Sequence, residues 1–179
     1  MKRSSFKKKP YSDIISKKQA KYTERAKKRA TRQIGGKKRK KKTDRKKLEK
    51  DVWELCRQIT FKRYGNTCYT TGATGLSGMN LQCGHGKAKG ALPLLYKYDL
   101  RNLRPQSFRA NINLGGMSDI FIARLEREKE GLEFLQEACV KENGEWKIKH
   151  ISPMGSLQAE EFLRGLKERY TEILNELNK

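Results

Sequence analysis

Histidine is scarce in this chain, with two in 179 residues, so any imidazole chemistry has few places to reside. The four cysteines, Cys56, Cys68, Cys83 and Cys139, form no C-x-x-C pair, a spacing that argues against a closed structural zinc site and for reduced, buried thiols. No apolar run approaches the roughly 18 residues that a membrane-spanning helix needs. The charged N-terminus is not followed by a hydrophobic secretory segment, and no internal repeat is visible. These absences predict a soluble, cytoplasmic protein. Acidic residues are few as well: 20 Asp and Glu stand against 42 Lys and Arg, a formal charge of +22.

The positive charge is concentrated at one end. Residues 1–50 hold 23 basic and 4 acidic side chains, and the densest point is Lys37-Lys38-Arg39-Lys40-Lys41-Lys42. Such a stretch repels itself and buries too little apolar surface to fold alone, which predicts an extended or partly helical arm over 1–43. Residues 13–32 lack Pro and Gly and suit a helix induced on a polyanion; Gly35-Gly36 ends it. The expected partner is nucleic acid, bound with a steep dependence on salt because phosphate counterions are released. A localisation signal or an RNA-binding tail is the plainer reading of the same charge.

Residues 44–179 suit one domain. From Asp44 to Tyr64 the apolar positions Leu48, Val52, Leu55, Cys56 and Ile59 recur at helical spacing, and Gly65-Asn66 closes the helix. Two short extended runs, Thr67 to Thr71 and Met79 to Cys83, are joined by a segment containing Gly72, Gly75 and Gly78, a pattern that predicts a hairpin. A short helix is predicted over 104–113, with Pro105 tolerated in its first turn. Ser118 is a candidate cap for a helix packed through Ile120, Phe121 and Leu125, continued by Leu132, Phe134 and Leu135. Asn143-Gly144 marks a turn and 146–151 a short strand. A last helix opens near Ser156, with Leu163, Leu166, Tyr170, Ile173, Leu174 and Leu177 on one face; that stripe suits the core, or a seam in a homodimer. The expected class is α+β, mainly helical, with a ββα unit at about 66–114 and a helical part over 115–179.

His85 leaves the predicted hairpin in Leu81-Gln82-Cys83-Gly84-His85-Gly86. Downstream lies Asp99-Leu100-Arg101-Asn102-Leu103-Arg104-Pro105-Gln106-Ser107-Phe108-Arg109-Ala110-Asn111-Ile112-Asn113. A histidine, an asparagine about one hairpin later and further asparagines in the following helix are the order of a one-metal, HNH-like phosphodiesterase. A neutral imidazole takes a proton from the attacking water. A divalent cation, Mg²⁺ or Mn²⁺, offsets charge on the phosphoryl group and is held by oxygen ligands. Taken singly, each of these residues is an ordinary turn or cap residue.

From about Leu48 to Glu137 the chain resembles the NinG (Rap) recombination endonucleases of lambda-type phages, HNH-like proteins acting on branched DNA. The matching segments are Cys68-Tyr69-Thr70-Thr71-Gly72, Cys83-Gly84-His85, Gly90-Ala91-Leu92-Pro93-Leu94-Leu95, the run from Asn102 to Asn111, and Ile122-Ala123-Arg124-Leu125. The resemblance implies a ββα-metal core and a phage-encoded nuclease. Of the family's four zinc-knuckle cysteines only Cys68 remains, with Thr71, Ser107 and Ala110 at the other places, which implies that structural zinc has been lost. Gln82 and Gly84 stand where the family often carries an acidic or different residue, which leaves the metal side weakly charged.

The expected function is a structure-selective endonuclease on branched or recombination-intermediate DNA. His85 is the candidate general base and Asn102 its orienting partner. Asn111, with Asn113 or Asp99, forms the metal side. Lys87, Lys89, Arg101, Arg104 and Arg109 are candidate phosphate contacts, which position a strand without reading its sequence. The alternative is a non-catalytic DNA- or RNA-binding protein on a degenerate HNH scaffold.

Overall fold

The structure is a computed structural model that describes Glu24 and residues 44–179. The predicted arm, its helix over 13–32 and the run Lys37 to Lys42 therefore lie outside the described residues. The described part is α+β and mainly helical, with two small antiparallel sheets.

Helix α1, Asp44–Tyr64, forms where the apolar spacing predicts, and Leu48, Val52, Cys56, Ile59 and Thr60 are its buried residues. Asp44 in the first turn and Lys62 and Arg63 in the last oppose the ends of the helix dipole. Gly65, at φ +69°, terminates it in the left-handed region that a Cβ disfavours.

The hairpin differs from expectation. Thr67–Thr71 is a tight turn rather than a strand: Gly72 N–H donates to Cys68 O at 2.8 Å and Cys68 N–H to Ala73 O at 2.7 Å. Gly72, Gly75 and Gly78 all have positive φ, which bends the following segment out of extended pairing. Strand β1, Leu81–His85, pairs instead with β2, Leu103–Ser107, in a register that sets Cys83 opposite Pro105 and His85 opposite Leu103. The predicted helix over 104–113 is thus strand as far as Ser107 and helical only beyond it, and all five residues of β2 are buried. In a two-stranded sheet Pro105 needs no ladder N–H, and its carbonyl accepts from Tyr69 N–H at 2.8 Å. Only one turn of π-helix follows, Arg109–Asn113, closed by Leu114 N–H to Arg109 O at 3.0 Å.

Between β1 and β2 run the short helix α2, Leu94–Lys97, and a 3₁₀ turn, Leu100–Asn102. Helices α3, Ser118–Leu125, and α4, Lys129–Ala138, precede a second hairpin of β3, Cys139–Glu142, and β4, Glu145–Ile148. Asn143 and Gly144, at φ +51° and +84°, make its turn. Ser118 supplies no side-chain cap, and Ile120 is exposed rather than packed. The closing helix α5, Ser156–Glu176, lays Leu163 and Tyr170 against α1, β1 and β2 in the first core, with Leu166, Ile173 and Leu174 packed beside them, and leaves Leu177 of the expected stripe exposed. A second core joins α3, α4 and the second hairpin through Phe121, Leu125, Phe134, Leu135 and Ala138. Among the described residues no helix is long and apolar enough to cross a membrane.

Candidate active site

His85 is the last residue of β1, where the strand gives way to the long connection to β2. Two glycines let it sit there. A methyl group at residue 84 would overlap the Gln106 amide, whose Cδ and Cγ would lie at 2.6 and 2.9 Å. One at residue 86 would meet Leu125 Cδ1 at 2.6 Å and both Asn102 Oδ1 and Phe121 Cδ1 at 3.0 Å. The Gly-His-Gly sequence is therefore a close-packing requirement on both sides of the imidazole. Gly84, a departure from the resembled family, is answered by Gln106, whose Nε2–H donates to Thr70 Oγ1 at 3.0 Å and to Gly116 O at 2.8 Å.

The imidazole stacks on Trp53 of α1, with ring centroids 5.0 Å apart and planes inclined by 16°. Its Nε2 is buried and has no hydrogen-bond partner within the described residues. Burial, and then the Lys89 ammonium, push His85 down to about 4, so the ring is neutral at physiological pH. Lys89 reaches the same indole, with Nζ 3.9 Å from the Trp53 ring centroid and 4.9 Å from that of Tyr98.

Asn102 is fully buried and makes no hydrogen bond to the imidazole. Its amide holds the backbone two residues beyond: Lys87 N–H donates to Asn102 Oδ1 at 2.8 Å and Asn102 Nδ2–H donates to Lys87 O at 3.0 Å. Gly86 N–H donates to Asn102 O at 3.0 Å and completes the link across the strand ends. Asn102 thus fixes the chain that leaves His85, and makes no direct bond to the ring it is expected to orient. Asn111 and Asn113 lie in the π-turn, which packs on β1. Asn111 is half-buried, Asn113 is exposed, and neither side chain bonds to another residue.

Asp99 is placed differently from its expected role as a ligand. Its carboxylate accepts from Arg101 N–H at 2.9 Å, capping the 3₁₀ turn, and forms an ion pair with the Arg101 guanidinium at 2.8 Å. Arg101 also forms a bidentate pair with Glu137, at 2.9 and 2.7 Å. Those two carboxylates, Glu137 first, hold the guanidinium in its charged state and leave Arg101 no free face for a phosphate. Arg104 is likewise withdrawn. It is 1% exposed, lies over the rings of Tyr64 and Tyr69, pairs with Glu128 and donates to Leu103 O at 2.6 Å. The Lys87 ammonium donates to Trp146 O. Of the five basic residues expected to contact phosphate beside His85, Arg109, exposed on the π-turn, and Lys89 have no ion-pair or hydrogen-bond partner. Gln82 turns back to cap the preceding turn, its Nε2–H donating to Met79 O.

Among the described residues no group of three or more His, Cys, Asp or Glu side chains is gathered to hold a metal. With Asp99 engaged, the donor set does not suit a cage made by protein alone. A hard cation that keeps its waters and shares substrate phosphate oxygens would need fewer protein ligands, and the unbonded amide of Asn111, with Asn113 nearby in sequence, would be the oxygen donor for it.

The four knuckle positions converge. Ser107 N–H donates to Cys68 Sγ at 3.3 Å, the Cys68 thiol lies 3.6 Å from Thr70 Oγ1, and Ala110 N–H donates to Ser107 Oγ at 3.2 Å. Burial alone would raise the Cys68 thiol, but hydrogen bonds from Thr71, Ser107 and Thr70 outweigh it and bring the thiol down to about 6. Cys56 and Cys83 are driven the other way, chiefly by burial. Trp53, Tyr98 and Gln106 have no place in the sequence reading of the site. Trp53 sits one position beside the apolar stripe of α1 and packs against the edge of the first core, so its spacing alone does not set it apart as a site residue. No protein-family model, no curated protein and no solved structure matches this chain.

Proposed function

We propose that the protein is a structure-selective DNA endonuclease of the HNH-like class that hydrolyses phosphodiester bonds in branched DNA, in keeping with its resemblance to the phage NinG recombination nucleases. The observation that carries this reading is the hairpin of β1 and β2. It ends in a neutral, unpartnered imidazole, is braced by Asn102 and is followed by a turn carrying the unbonded Asn111. His85 accepts a proton from water, the water oxygen attacks phosphorus, and the bond to the 3′ oxygen breaks. That oxygen takes a proton from solvent, so the products are a 5′-phosphate and a 3′-hydroxyl. Mg²⁺ or Mn²⁺, when bound through Asn111 with water and substrate oxygens, would offset charge on the phosphoryl group. Arg109 contacts a neighbouring phosphate, and the basic arm supplies affinity that is independent of sequence. Selectivity for bent or branched DNA rests on shape and deformability.

A second reading is binding without cleavage, and the capture of Asp99 by Arg101 favours it. Incubating the full chain with a labelled four-way junction, a fork and linear duplex, in Mg²⁺, Mn²⁺ or EDTA, separates the two. Metal-dependent cleavage of the branched substrates supports the nuclease. Retention of all three DNAs uncut in every buffer supports the binder.

A further inference from the structure

Lys89 is an ammonium in an unusual setting. It is half-buried, lies over two aromatic rings, at 3.9 Å from the centroid of Trp53 and 4.9 Å from that of Tyr98, and donates no hydrogen bond and forms no ion pair. Its neighbour Lys97, by contrast, pairs with Glu49 at 3.8 Å. Aromatic faces attract a cation without using its N–H donors, so all three donors of Lys89 remain available while the group bears part of the cost of desolvation. That cost is visible in its own titration, which burial and then Lys97 lower. The Trp53 indole that steadies this ammonium is the same ring on which the His85 imidazole stacks. A single side chain of α1 thus gathers a cation with free donors and an imidazole with an unpartnered nitrogen.

We propose that Trp53 is a positioning residue that holds the Lys89 ammonium and the His85 imidazole on one indole so that both engage a single phosphodiester group. Lys89 takes a non-bridging oxygen and His85 addresses the water that attacks the same phosphorus. An anion completes the Lys89 donors, and charge on the phosphoryl oxygens grows as the water adds, so the ammonium contributes more in the transition state than in the ground state. The inference rests on the nuclease reading for its catalytic part; its binding part stands by itself. The other ionisable groups near the pair are Glu49 and Cys56 of α1, Cys83 of β1, Lys97 of α2 and the Tyr98 phenol.

The test uses the full chain with isotope-labelled histidine, the His150→Gln variant assigning the two rings. A short DNA duplex and a labelled four-way junction are the probes. In wild type the DNA shifts the His85 ring signals. In Lys89→Gln that shift disappears, the His85 midpoint rises by the part of its depression that Lys89 causes while the larger part due to burial remains, and turnover on the junction falls on the order of 10²-fold while KM stays within a few-fold. Trp53→Leu moves midpoint and turnover in the same direction, and Trp53→Phe, which keeps a stacking face, restores much of both. If Trp53→Leu does not fold, Lys89→Gln carries the test, because its side chain holds no structural hydrogen bond. Unchanged His85 midpoint and DNA-induced shift in Lys89→Gln overturn the proposal. If no DNA is cleaved but the DNA-induced shift depends on Lys89, the nuclease reading fails and the shared phosphate site stands.

Discussion

The buried amide of Asn102 grips the backbone of Lys87 at both ends, accepting from its N–H at 2.8 Å and donating to its carbonyl at 3.0 Å. An aspartate at this position keeps the acceptor and loses the donor. In Asn102→Asp a buried carboxyl oxygen faces the Lys87 carbonyl without a proton between them. Leaving a buried polar group unsatisfied costs about 1–3 kcal/mol, so denaturant unfolding should show a loss of that size. Cleavage should fall as well, because the chain leaving His85 is no longer held. Full stability together with full activity in Asn102→Asp would show that the clamp is dispensable.

Replacing His85 by Ala should reduce turnover by roughly 10²–10⁴-fold with little change in DNA affinity, which a filter-binding assay beside the cleavage assay reads directly. The pH dependence carries a sign. The folded state holds His85 near 4, whereas an ordinary histidine titrates near 6.5. The acid limb of kcat/KM for the free protein should therefore lie well below pH 6.5. Stability follows the same linkage: between about pH 6.5 and 4 the unfolded chain takes up a proton that the folded chain refuses, so this contribution is fully present above 6.5 and is lost as pH falls. Melting curves across that window should be flatter for His85→Gln than for wild type.

Gly84→Ala inserts a methyl group into the Gln106 amide, which is fixed by Thr70 and Gly116 and cannot easily retreat. Overpacking of this kind costs about 1–3 kcal/mol. The measurable outcome is a lowered midpoint in urea with an unchanged slope, and recovery in a Gly84→Ala/Gln106→Ser double variant that clears the space.

Arg104 and Arg109 should separate cleanly. Arg104→Met removes the partner of Glu128, whose partly exposed carboxylate keeps some of its solvation, and should lower the melting temperature while leaving the slope of log K against log salt unchanged. Arg109→Ala should leave the melting temperature in place and flatten that slope by about 0.9, the contribution of one phosphate on duplex DNA. The reverse pattern would place Arg104 at the DNA.

Glutamines in place of Lys37, Lys38, Arg39, Lys40, Lys41 and Lys42 should weaken DNA binding and flatten the salt slope by up to about 0.9 for each phosphate no longer neutralised. Turnover at saturating DNA should be retained, since none of these residues belongs to the proposed chemistry. An unchanged salt dependence would assign the arm to another partner.

What could be read from the sequence was what local spacing controls. The bounds of α1 and the inward face of α5 follow from 3.6-residue periodicity, and the Asn143-Gly144 turn from the left-handed preference of those two residues. The order of His85, Asn102 and Asn111 follows the order of the end of β1, the 3₁₀ turn that leads into β2 and the π-turn after it. What was hidden depends on pairing at a distance. The run from Thr67 to Thr71 has strand composition, yet its hydrogen bonds go to a turn and to Pro105. Strand β2 reads as a helix start because nothing nearby shows that Leu81–His85 will pair with it. Asp99, Arg101 and Arg104 read as site residues because their partners, Glu137 and Glu128, arrive from another part of the fold. Trp53 precedes His85 by too long an interval for any motif to join them.

The turn centred on Cys68 also supplies a built-in clock for local opening. Against the effect of burial, its thiol is drawn down to about 6 by the hydrogen bonds of Thr71, Ser107 and Thr70, which favours the thiolate, yet it is 1% exposed. A thiolate reacts quickly with an alkylating reagent once solvent reaches it, whereas Cys56 and Cys83 are held in the unreactive thiol form. Modification of Cys68 is then limited by how often the turn breathes rather than by the chemistry of the sulfur. The place where the resembled family carries a metal knot would, in this chain, report its own loosening one chain at a time.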